Sequence, residues 1–167
     1  MVAYDAAAIA QEHPPPPALV SLARSADLIV SSDLPRAVSS AELLAGARSV
    51  EVNPLFREAS LETPELPLPS LGGVRLPLRG WALVFGVRWF RASRRGLPPP
   101  GVDAAVLARA EAAAAWLVDA AADRGFVLVV THTTFRTLLA AELARRGWRP
   151  HTPRPFREWS AWRLRPG

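Results

Sequence analysis

Apolar positions along this chain either run together or recur every three to four residues, and the two habits predict different elements. "DLIVSS" at 27–32 and "FVLVV" at 126–130 are short apolar runs without internal polar alternation, as in strands covered on both faces. "SVEV" at 49–52 reads as a second brief strand, and "EWSAWRL" at 158–164 alternates like a last strand at a sheet edge. Helical spacing fills the intervals. Helices are predicted over 4–11 and 17–25, on either side of the stiff "HPPPP". A third is predicted over 34–45, with a serine or aspartate cap, proline in its first turn and Gly46 past its end. Two more cover 102–124, stopped by Gly125, and 134–146, stopped by Gly147. Residues 78–92 also scan as a helix, with Trp81, Phe85 and Trp89 in one stripe and Arg88, Arg91 and Arg95 opposite. The proline- and glycine-punctuated 53–73 reads as loop.

Strands alternating with helices predict an α/β fold, a mostly parallel sheet with helices on both faces, in a single domain over 1–167. Ligands of such sheets bind beyond the carboxyl ends of the strands, where helix N-termini also point. Three chemistry-bearing residues fall on that rim by topology. Arg36 lies in the first turn after the strand at 27–31, Glu58 on the loop after 49–52, and His132 directly after 126–130. Arg136 lies one turn further on and reads as solvated.

Composition narrows the classes. Half of the 167 residues are apolar and 21% are charged, which argues against general disorder. With no cysteine there is neither a disulfide framework nor a thiolate metal site. Arginine or proline interrupts every apolar run before bilayer length, and the opening "MVAYDAAAIA" lacks the basic flank of a signal peptide. A cytoplasmic protein is expected. The net charge of +5 has one source. Residues 66–102 hold six arginines, among them Arg75, Arg79 and Arg88, and no carboxylate; elsewhere 14 arginines face 15 acids. That segment suits an anionic ligand, a membrane surface or nucleic acid.

The stretches "SSDLPRA", "LFREASLE" and "LVVTHTTFRTLL" occur in the order and spacing of the histidine phosphatase superfamily, the phosphoglycerate mutase-like group. The resemblance runs from about residue 27 to the C-terminus, and 60–100 resembles the insertion that caps the pocket in some members. It implies a phosphomonoesterase or mutase acting on a small phosphorylated metabolite, with no cofactor and no metal. Arg36 would grip the phosphoryl oxygens, with Ser32 assisting. His132 would donate to the same group and stabilise its developing charge. Glu58 would protonate the leaving alcohol and then activate water. Arg75, Arg79 and Arg88 of the cap would meet the rest of the substrate.

One departure is large. The family's nucleophile is a histidine in an Arg-His-Gly triplet ending the first, inner strand, and no such triplet occurs here. His13 and His151 sit beside prolines and do not replace it. Without it no phosphohistidine forms. The expectation is therefore a chain whose true start lies upstream, or a degenerate copy with its inner sheet edge exposed. Thr133 and Thr134 stand where many relatives carry glycine, and their side chains would narrow the approach to the phosphate or offer hydroxyls to it. Two rivals remain: a non-catalytic binder of phosphate ligands, and a basic peripheral protein meeting membrane or RNA. The expected partner is a small phosphorylated substrate or inorganic phosphate; nucleic-acid and membrane contact are not expected, and a homo-oligomer is left open.

Overall fold

The computed structural model describes residues 14–59, 101–151 and 158–167. The helices expected at 4–11 and 78–92, and the cap at 60–100 with Arg75, Arg79 and Arg88, lie outside them. The chain divides into two compact units, residues 1–59 with 107–167, and residues 60–106. The described elements belong to the first unit, apart from the opening residues of one helix.

In chain order they begin with helix α1 (Pro17–Arg24), strand β1 (Leu28–Ser31), helix α2 (Pro35–Ala45) and strand β2 (Glu51–Val52). A 3-10 turn follows at Pro54–Phe56. Helix α3 (Ala104–Arg124), strand β3 (Val127–Val130), helix α4 (Thr133–Arg145) and strands β4 (Trp148–Pro150) and β5 (Leu164–Pro166) complete the set. The fold is α/β. Three parallel strands form one sheet in the order β2-β1-β3, with Val30 opposite both Glu51 and Val129. β4 and β5 form a separate antiparallel pair.

Strand β1 is the centre. Ile29 and Val30 are adjacent, so they point to opposite faces, and both are buried. On one side Ile29 joins Ala23 and Ala26 with Leu44 and Ala45 of α2. Each such branched residue contributes about 1.5–3 kcal/mol by leaving water. Arg48 fastens the corner between α1 and β1, donating to the carbonyls of Ala23 and Ala26 at 2.6 Å each. A cation suits that position, because the last carbonyls of a helix carry partial negative charge.

Three expectations need correction. Strand β3 was expected to be covered like β1, yet all four of its residues are only partly buried. Among the described residues it pairs with β1, and residues 125–133 line a cavity. The α2 cap is Leu34, in extended backbone and without a side-chain cap bond. Asp33 turns to Arg57 instead, through two contacts at 2.9 and 2.5 Å. Of "EWSAWRL" only Leu164 is in a strand, β5, whose partner β4 went unpredicted. Three-residue strands ending in proline carry too little alternation to register.

Gly125 links α3 to β3 at φ +91°, and a Cβ there would sit 2.7 Å from Asp27 Oδ2. That carboxylate accepts the Phe126 amide at 2.8 Å. Gly125→Ala is expected to cost about 1–2 kcal/mol from the left-handed backbone alone. The check is urea denaturation: a lower midpoint at unchanged slope.

Candidate functional site

The carboxyl ends of β1, β2 and β3 bring three segments together. The residue after β2, Asn53, donates its amide to Ser31 O at 2.9 Å, and its side chain accepts Leu55 N at 3.0 Å. Thr131, just past β3, donates its hydroxyl to Phe56 O at 2.7 Å. Phe56 is buried and meets Trp116 of α3 edge-on at 5.6 Å. Arg109 of α3 then holds the end of the turn. Its Nη1 donates to the carbonyls of Leu55, at 3.2 Å, and Arg57, and its Nη2 to Glu58 O at 3.1 Å. The guanidinium lies 4.4 Å over the Phe135 ring, a cation–π contact that steadies its plane.

Glu58 is thereby presented to α4. Its Oε1 accepts the amides of Ala59 at 3.0 Å and Phe135 at 3.1 Å, so it caps a helix remote in sequence. Burial raises the Glu58 carboxyl above the ordinary glutamate range. The amides of Phe135 and Ala59 and the charges of Arg36 and Arg109 pull the other way without cancelling that rise. A raised folded-state value means that the folded protein holds the proton longer than the unfolded chain. Stability from this group is then full below the unfolded value and is lost as pH rises through the folded one. Glu58→Gln keeps an acceptor for both amides and removes that loss. Its melting temperature, relative to the parent, is expected to increase from acid to neutral pH; a pH-independent difference would contradict the burial argument.

His132 ends the β3 segment and is nearly buried, with Nε2 2.9 Å from Ser32 Oγ. It makes no side-chain cap to its own helix. Ser32 is fully buried behind it, its hydroxyl also receiving Leu34 N–H at 3.3 Å. Neutral imidazole protonated on Nδ1 accepts the Ser32 proton; charged imidazole donates to Ser32. The hydroxyl thus fixes the ring plane in either state.

Arg36, Glu58 and His132 all line one cavity of about 1070 Å³, with Arg36 close enough to Glu58 to favour its ionised form. Arg136 lines it too and is not solvated as expected. It donates to Ser160 O at 2.9 Å and Ser160 Oγ at 3.1 Å and stacks 4.3 Å over Trp162, with burial lowering its pKa. Sequence reasoning passed over Arg109 entirely, since an arginine in an Ala-rich helix carries no local sign of partners about 50 residues away. Among the described residues no three histidines or carboxylates converge as metal ligands. The arrangement can do two things: attract an oxyanion to Arg36 and His132, and hold or release a proton at Glu58.

Comparisons with protein-family models, with curated proteins and with solved structures find no match for this chain.

Proposed function

We propose that this chain is a phosphate-ester site of the histidine phosphatase type, acting on a small phosphorylated metabolite. The observation that carries the reading is the shared cavity. Residues 36, 58 and 132, from three stretches of chain, line one space and present a guanidinium, a protonatable carboxyl and an imidazole. Arg36 would hold two phosphoryl oxygens with its planar fork. His132, set by Ser32, would donate to a third oxygen. Glu58, whose burial favours the protonated form, would supply the leaving alcohol with its proton.

The nucleophile is the missing piece, because no Arg-His-Gly triplet occurs in the 167 residues. A second reading is that the chain binds a phosphate ligand without turning it over. Calorimetric titration with inorganic phosphate and an assay with p-nitrophenyl phosphate separate the cases. Both readings expect saturable phosphate binding that weakens in Arg36→Ala. Hydrolysis lost in Glu58→Gln supports the enzyme, and binding without hydrolysis supports the binder. Absence of phosphate binding, or binding indifferent to Arg36, would end both. The basic stretch that suggested membrane or RNA contact lies mostly outside the described residues. Among those described, no helix is long and apolar enough to cross a membrane.

A further inference from the structure

Arg109 meets the turn at the end that carries Glu58. The earlier part of that turn has its own fastenings: Asn53 accepts Leu55 N, Thr131 donates to Phe56 O, and the buried Phe56 ring meets Trp116. The Arg109 bonds fall mainly beyond Phe56, on the carbonyls of Arg57 and Glu58, with Leu55 as a third. Arg109 and Trp116 are seven residues apart and so share one face of α3, which is how both reach the same turn.

Both ends of Glu58 lead back to this guanidinium. Its carbonyl accepts Arg109 Nη2 directly. Its Oε1 accepts the Phe135 amide, and the Phe135 ring lies 4.4 Å beneath the same guanidinium. Backbone, carboxyl, amide, ring and guanidinium therefore close a circuit with members from the turn, α4 and α3. The circuit suits a planar fork. Arg109 sends donors to three carbonyls while presenting a flat face to an aromatic ring; a lysine ammonium, a compact point charge, lacks both the spread and the face.

We infer that Arg109 is the positioning residue of this site: by holding the Glu58 main chain and the Phe135 ring together, it keeps the Glu58 carboxyl on α4 at the cavity wall. The use made of a proton there rests on the phosphate reading; the positioning does not.

Position and charge act on the Glu58 proton in opposite directions. The Arg109 charge favours the ionised carboxyl, whereas burial, the larger influence, favours the protonated one. Arg36 of α2 adds to the first effect; His132 and Arg136 line the same cavity, and Arg57 of the turn pairs with Asp33. Removing a charge alone would raise the carboxyl further. Removing the support of the turn lets the carboxyl reach water and lowers it.

Carbon NMR titration of the carboxyl groups in the full chain reads the sign, with the Glu58 resonance identified by its loss in Glu58→Gln. In Arg109→Gln the Glu58 value should fall towards the ordinary glutamate range. Arg109→Lys, the milder change, keeps the charge without the fork and should fall as well. In both variants the Phe135 amide should exchange at least about tenfold faster, while Leu139, a turn further along α4, changes little. A rise in Arg109→Gln with no change in Arg109→Lys would make Arg109 a charge alone and overturn the inference. So would an unmoved Glu58, or an equal loss of protection at Phe135 and Leu139, which would mean a general loosening of α4. Calorimetric titration of the same samples with inorganic phosphate reads the phosphate reading separately. A parent that binds none, with Glu58 moving as expected, loses that reading and keeps Arg109 in its role.

Discussion

Phe135→Ala is expected to remove about 3–5 kcal/mol of stability, a large share of the roughly 5–15 kcal/mol typical of a domain. The ring is fully buried in the first turn of α4, so its loss leaves a cavity as well as a transfer cost. It also lies under the Arg109 guanidinium, and its own amide is one of two held by Glu58. The damage should therefore spread to the turn that Arg109 clasps. Urea denaturation gives the number. Leu43→Ala serves as the comparison, because Leu43 is 45% exposed and its loss should stay within about 0.5 kcal/mol. Equal effects from the two substitutions would mean that α4 does not pack where the structure puts it.

Arg36→Ala is expected to weaken phosphate binding by about ten- to a hundredfold, the range of one or two charge-assisted hydrogen bonds worth about 1.5–3 kcal/mol. The fold should survive. A cation in the first turn of α2 opposes the helix dipole, and the residue is only partly buried. A second consequence separates this variant from a general loss of charge. Arg36 favours the ionised form of Glu58, so removing it should raise the Glu58 carboxyl further. The pH dependence of any remaining binding should then move to higher pH. Calorimetric titrations at several pH values read both effects, and an Arg36→Ala affinity equal to the parent's would remove the guanidinium from the site.

The order β1, α2, β3, α4 could be read from short apolar runs, Pro35 and the glycines at 46, 125 and 147, because those signals act within a few residues. What closes the site could not. His132 meets Ser32 across 100 residues, and Arg109 reaches the Glu58 carbonyl across 51. Nothing in the sequence around Arg109 or Ser32 announces such a partner. The half-exposure of β3 was hidden for a related reason. An apolar run shows that a strand is made to be covered, not whether both of its edges have neighbours. Glu58 shows the limit most plainly. Its sequence neighbour Arg57 pairs with Asp33, while Glu58 turns inward to the Phe135 amide of α4.

Tungstate, a tetrahedral dianion visible by its anomalous scattering, offers the most direct measurement when soaked into crystals of the full chain. It should lie with its oxygens about 2.7–3.2 Å from the Arg36 guanidinium and the His132 imidazole, beside the Glu58 turn. Tungstate found only on other arginines, with the space between residues 36, 58 and 132 holding none, would contradict the proposed site.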